Sequence, residues 1–322
     1  MSKQLLLQKI FYAIVTILIV LVFNYFLFRV LPGDPLAMMM RNPKATPEML
    51  EGIRQLYGLD QAWYVQFFIY FKNLLSFDLG MSFLYKDAVT SVIAAKIMPT
   101  LIMVGLAELI AIFTGVFIGI VAAWKRGTKI DVATLSFSLI TYSMPTFWLG
   151  IVMVVVFSVN LHLFPTSGML SPGKNFDFSL ISIIDFGRHL FLPTITLSLV
   201  LIGEYALMMR NTLIDVLSED YIITAKAKGF NNRYILQKHA VPNAMLPMIT
   251  IIAINLGFIV AGTIQVETIF SWPGLGRLMY EALKARDYPL LQGIFLLVTV
   301  CVVVANVLAD ITYSYVDPRV KN

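Results

Sequence analysis

Apolar residues run almost uninterrupted through six stretches of the chain: Ile10 to Val30, Pro99 to Trp124, Ala133 to Leu161, His189 to Met209, Ala244 to Val266 and Leu290 to Tyr315. About 20 apolar residues at a rise of about 1.5 Å each cross the roughly 30 Å hydrocarbon core of a bilayer. Each stretch meets that length, so the pattern predicts an all-helical membrane protein with six spanning helices and both termini on one side. The first stretch follows Lys3 and Lys9, as a secretory leader would. It is too long for a leader's apolar region and ends in Arg29-Val30-Leu31-Pro32-Gly33 without a small-x-small cleavage pattern, which reads as a retained first helix.

The polar intervals set the domain organisation. Residues 1–30 form the N-terminal segment and first span, 31–98 an extracytoplasmic loop, 99–316 a core of five further spans, and 317–322 a cytoplasmic tail. Within the 31–98 loop, Thr46 is suited to cap a helix that opens at Pro47 and stops at Gly58. A second helix is expected from Asp60 to about Leu75, where Trp63, Tyr64, Phe67, Phe68, Tyr70 and Phe71 mix with Gln66, Lys72 and Asn73. Too short and too polar to span, it suits the membrane interface as an aromatic belt. Gly115 and Gly119, four residues apart on one span, form a small-xxx-small pattern suited to close helix packing.

Composition agrees with this picture: 58% of the 322 residues are hydrophobic and 13% charged, against about a quarter charged in soluble domains. The net charge of +5 is dispersed among apolar spans rather than gathered on one soluble face, which argues against a nucleic-acid partner and for membrane lipid as the solvent. Lys125, Arg126, Lys129, Arg210, Lys226, Lys228, Arg233 and Lys238 fall on the side of the N-terminus, and the positive-inside rule therefore places both termini in the cytoplasm. Cys301 is the only cysteine and excludes internal disulfide or CxxC chemistry.

The polar interval 211–243 lies on that cytoplasmic side. A short helix is expected over Ser218 to Lys228, capped by Ser218 and ended by Gly229. A second should start at Asn231 and stop near Val241, because Pro242 disfavours helix at the residue before it. Tyr221, Ile222, Ala225, Tyr234, Ile235 and Leu236 would give the pair an apolar surface that no bilayer covers. Such an element suits a groove on another protein; a packed connecting loop is the alternative.

Acidic residues inside spans are costly and mark functional positions. Glu108 and Glu204 sit mid-span, Glu267 at the outer end of the fifth span and Asp310 near the inner end of the sixth. Glu108, Glu204 and Glu267 are candidates to line a translocation pathway and meet a substrate's amino terminus; interhelical hydrogen bonds, or a Glu204–Arg210 pair two turns apart, are the alternative. Gly168 to Lys174 imitates the spacing of a phosphate-binding loop, but Asn175 stands where Ser or Thr is needed and no parallel sheet is expected beside it. His162 and His189 fall on the opposite side of the membrane from His239, so no metal cluster is expected. Facing spans hold no paired aspartates, HExxH or Ser-His couple, and an intramembrane enzyme is not expected. Inverted repeats, common in secondary transporters, are not visible either.

Ala225, Gly229 and Pro242 within Ile223-Thr224-Ala225…Gly229…His239-Ala240-Val241-Pro242 resemble the EAA loop of ABC importer permeases, with Ile223, Thr224, His239 and Val241 departing from the usual residues. Arg29 to Pro35, Thr224 to Phe230, Val266 to Arg277, Arg286 to Pro289 and Asp317 to Arg319 resemble, in order, blocks of the dipeptide, oligopeptide and nickel permease family. The resemblance implies a permease subunit for short peptides in the bacterial cytoplasmic (inner) membrane, with nickel or a metal chelate as the alternative cargo. It implies a second homologous permease, an extracytoplasmic substrate-binding protein and two ATPase subunits that bind ATP and Mg, this chain holding no cofactor. Ala225, Lys226, Ala227, Lys228, Gly229, Phe230, His239 and Pro242 would then form the ATPase-coupling site.

Overall fold

The computed structural model describes residues 3–30, 46, 48, 51–52, 61–76, 78–259 and 263–316. Helix α1 covers Lys3–Val30, α2 Trp63–Leu75, α3 Val89–Trp124, α4 Lys129–Ser143 and α5 Thr146–Met153, which widens into a π-helical segment Val154–Asn160. Helix α6 covers Leu180–Leu217, α7 Asp220–Ala227 and α8 Asn232–Ile235; a π-helical segment Leu236–Ala240 joins α8 to α9, Val241–Phe258. The short helices α10, Ile264–Ile269, and α11, Leu275–Ala285, precede the last long helix, α12, Tyr288–Val316.

Among the described residues five helices are long and apolar enough to cross a membrane, and a sixth crossing arises if the bent pair α4–α5 is one span. The span expected from Ala133 to Leu161 is this bent pair, whose halves meet at 99°. The cause is local. Pro145 forces the residue before it out of helical geometry, and Met144 is extended at ψ 129°. Proline does not break α3, which starts ten residues before Pro99 and carries it inside. Trp272 Nε1 donates to the Pro99 carbonyl at 2.9 Å.

Helices α3 and α6 run parallel and form the centre. An added Cβ at Gly115 would lie 2.7 Å from Tyr205 Cβ, and one at Gly119 2.7 Å from the Ala206 carbonyl. The expected packing role of these glycines is therefore what the fold uses. Toward the starts of α3 and α6, Met103, Leu192, Val266, Phe270 and Trp272 form one buried cluster. Toward their ends, Tyr205, Met209, Leu213, Ile222, Ile235 and Met248 form another. A third joins Val89 and Ile93 to Leu275, Leu278, Leu290 and Ile294. Helix α1 ends beside the start of α12, where Asn24 Nδ2 donates to the Gln292 carbonyl. It therefore begins, and α12 ends, at the end of the bundle that carries the 211–243 loop.

Helix α2 packs on α1: Tyr25 donates to the Trp63 carbonyl at 2.7 Å, and its ring meets Phe67 and Tyr70. Trp63, Tyr64 and Phe68 stay exposed, as an interfacial belt requires. Of the helix expected from Pro47 to Gly58 only Glu48, Glu51 and Gly52 are described, and these are helical; most of the Arg29 to Pro35 block and the 317–322 tail lie outside the described residues.

Candidate functional site

The 211–243 loop contains the helix, glycine turn and second helix read from the sequence, with two corrections. Ser218 closes α6 instead of capping the next helix, and Glu219 precedes α7. The second helix does not stop at Val241. It passes through the π-helical segment Leu236–Ala240 directly into α9, where Pro242 occupies the first turn. Proline is tolerated there because the widened turn before it gives the ring room.

Gly229 is required by the turn. Its φ is +83°, and the Phe230 and Gly229 amides donate back to the carbonyls of Ala225 and Lys226, the paired bonds of a Schellman stop. Asn231 then caps α8 by accepting from the Tyr234 amide at 2.7 Å. The chain reverses sharply and holds two short helices in fixed relation.

One face of this element is an anchor. Ile222 is fully buried, Ile235 and Ala225 nearly so, against Leu213, Met209 and Met248. Of the apolar residues expected to form an open surface, these three face inward, and Ala225, expected at the coupling surface, belongs to the seat. Around that anchor Tyr221, Ile223, Lys226, Ala227, Lys228, Gly229, Phe230 and Tyr234 are all exposed, with Pro242 exposed nearby. Phe230 stacks on Tyr234 at 5.0 Å, and both rings meet His239. His239 is half-buried under this aromatic cap, and its Nε2 has no hydrogen-bond partner among the described residues. No group of three His, Cys, Asp or Glu side chains among the described residues could hold a metal.

The acidic candidates separate into two places. Tyr205 donates to Glu108 at 2.8 Å, and Asn255 Nδ2 donates to the Tyr205 oxygen at 3.0 Å, so α3, α6 and α9 meet at one polar node. Glu108 is buried there, while Glu204 is half-exposed beside Asn255. Glu204 does not pair with Arg210. Arg210 instead makes a two-pronged contact with Asp131 of α4, at 2.7 and 2.9 Å, and the Gly127 amide donates to the same carboxylate.

Glu267 lies far from that node and is fully buried. It accepts from Thr100 Oγ1 and from the Arg277 amide, both at 2.9 Å, which seats the start of α11 against α3. Its oxygens are committed to the fold. Asp310 has no described side chain.

Sequence reasoning missed Asp131 and Asp287. Asp287 is fully buried and accepts from Ser82 Oγ and the amides of Leu84 and Leu290. It pins the turn between Met81 and Ala88 to the start of α12. Beside it Tyr85 donates to Glu281 at 2.6 Å, and burial together with that carboxylate raises the Tyr85 hydroxyl above its ordinary pKa. The Arg-Asp-Tyr-Pro block was a visible signal; the partners, some 200 residues away, were not.

Comparison with known proteins fits this architecture. Residues 115–322 match the family described as binding-protein-dependent transport system inner membrane component, and residues 2–104 match the N-terminal region of such membrane components. A Brucella melitensis protein named as a peptide transport system permease is 38% identical over 321 residues, covering 100% of this chain and 99% of its own. The di/tripeptide transport system permease protein of Pseudomonas aeruginosa is 36% identical over 93% of both chains. The glutathione transport system permease protein of Escherichia coli is 35% identical over 95% of both. The inward-facing structure of the MetNI methionine ABC transporter shares the fold, with a TM-score of 0.55 at 16% identity over 71% of this chain and 97% of that one. A multi-pass helical bundle, a capped helix–glycine–helix element at one end and matches along nearly the whole chain lead to one assignment: this protein belongs to the family of binding-protein-dependent transport system inner membrane components.

Proposed function

We propose that this chain is a permease subunit of an ATP-driven importer of short peptides. It forms half of a translocation pathway beside a second, homologous permease, receives substrate from an extracytoplasmic binding protein, and takes its driving force from two ATPase subunits that bind ATP and Mg. The observation that carries the coupling role is the two-faced 211–243 element, anchored to the bundle by Ile222, Ala225 and Ile235 and presenting Lys226, Lys228, Phe230 and Tyr234 outward. The cargo is read from the relatives, which are named for peptides, di/tripeptides and glutathione.

The exposed face docks on the ATPase in the cytoplasm of a bacterial cell, both termini lying on that side of the inner membrane. The rigid Schellman turn passes ATPase movement into α6 and α9, and the bundle alternates between inward- and outward-open forms. Glu204, half-exposed in mid-span without a cationic partner among the described residues, lines the pathway and meets the substrate's ammonium group; Glu108, held by Tyr205, supports it. Glu267 is left out of the pathway.

The test is paired uptake of labelled short peptides and labelled nickel in cells with and without the gene, before and after ATP depletion. Loss of ATP-dependent peptide uptake alone is expected. Loss of nickel uptake alone would replace peptide by metal as cargo, and loss of neither would remove both.

A further inference from the structure

Movement received at the 211–243 loop must reach the spans, and one buried ion pair lies at the first junction. Asp131 is 4% exposed. Its two oxygens accept from Arg210 Nε and Nη2 and from the Gly127 amide, at 2.7 to 2.9 Å. This single carboxylate therefore ties the turn after α3, the first turn of α4 and the last turns of α6. Seven residues along each helix the contact recurs. A Cβ at Gly203 would lie 2.6 Å from the Ser138 carbonyl and 2.8 Å from the Tyr142 amide. Because 131 pairs with 210 and 138 with 203, α4 and α6 run antiparallel and share one seam, closed at its end by the ion pair.

Helix α7 is anchored to the same end of α6 through Ile222 and Ala225 against Met209 and Leu213. Helix α4 leads into the 99° bend at Pro145 and then α5, where Gly150 meets Ile269 and Phe270 of the α10 region at the opposite end of the bundle. A load on α7 thus enters α6, and the α4–α6 seam carries it into the bent span, with the ion pair at the end of the seam nearest the load.

We propose that the Asp131–Arg210 pair is the positioning joint that makes α4 follow α6, so that movement of the coupling element is passed to the bent α4–α5 span. The proposal rests on the coupling role assigned above to the 211–243 loop. A bidentate guanidinium–carboxylate contact fixes distance and orientation together, which Lys cannot reproduce. Residues that touch neither ligand can still change coupling between sites when they lie on such a joint.

The experiment uses the complete importer in proteoliposomes and reads peptide taken up per ATP hydrolysed. Arg210→Lys and Asp131→Asn are each expected to lower that ratio about fivefold while ATP hydrolysis persists and the subunits remain associated. The exchanged pair Asp131→Arg with Arg210→Asp is expected to recover part of it. A ratio unchanged in both single variants would overturn the proposal. So would a proportional loss of hydrolysis and uptake, which is what a merely structural pair gives. Arg210→Lys keeps the charge and decides the matter if Asp131→Asn does not assemble. Gly229→Pro, which cannot adopt the φ of the turn, separates the two hypotheses: a normal ratio there refutes the coupling role of the loop itself, whatever the ion pair does.

Discussion

A carboxylate removed from water is stable only where each oxygen has a donor, and Glu267 meets that condition within its own chain. Thr100 supplies one donor and the Arg277 amide the other. Thr100 Oγ1 in turn accepts from the Leu275 amide at 2.8 Å, which leaves its proton for Glu267. Glu267→Gln would turn one oxygen into an NH2 group facing a donor. The expected cost is about 1–3 kcal/mol, the penalty of leaving a buried donor unsatisfied. It is measured as a lower midpoint of thermal unfolding in detergent, with uptake per correctly folded importer unchanged; a fall in uptake at unaltered stability would return Glu267 to the pathway. The acid itself was conspicuous in the sequence, because a carboxylate at the end of a span is costly. Its purpose was not, since Thr100 stands 167 residues away and nothing local announces the contact. Asp131 was hidden for the same reason: only folding brings Arg210 to it, whereas Glu204, two turns from Arg210 on one helix, offered a false local partner.

Between elements, the legible signals were those carried by spacing along one helix. Gly115 and Gly119 recur every four residues, so both fall on one face, and that face meets α6 at backbone distance. Gly119→Leu would place its side chain into the Ala206 carbonyl and Met209 Cβ, each 2.7 Å from the Cβ position. Forcing the helices apart is expected to cost at least about 1–3 kcal/mol, measured as loss of monodisperse protein in detergent. Gly105→Leu, on the same helix with nothing within 4 Å, should leave the protein intact, and equal damage from both would refute close packing as the reason for Gly119. Proline was the ambiguous signal. Pro145 breaks a span, Pro99 and Pro193 lie within continuous helices, and Pro242 enters one through a π-helical segment. The ring has the same local chemistry in all four. What differs is the packing around each ring and whether the helix widens before it, and neither is written in the local sequence.

At the scale of the whole molecule, the coupling role proposed for the 211–243 loop sets one short helix two demands: it must belong to the bundle and still be available to another protein. Helix α7 divides them by face. Ile222 is fully buried against Leu213 and Met248, while Lys226 and Lys228, flanking that buried face, are exposed. Ile222→Ala removes a core side chain and should destabilise the permease by about 2–5 kcal/mol. Lys226→Glu with Lys228→Glu removes nothing from the core and should leave the unfolding midpoint within about 0.5 kcal/mol of the parent. The reversed charges should nevertheless weaken ATPase association, since like-charge placement at an interface is costly and exposed charges set docking rate and register. Co-purification of the ATPases with each variant, beside its thermal midpoint, separates the faces. A stable Lys226→Glu/Lys228→Glu variant that still retains the ATPases would move the docking surface away from α7. An unstable one would mean that these lysines belong to the seat, and that the outward face is formed by the remaining exposed residues, Phe230 and Tyr234 among them.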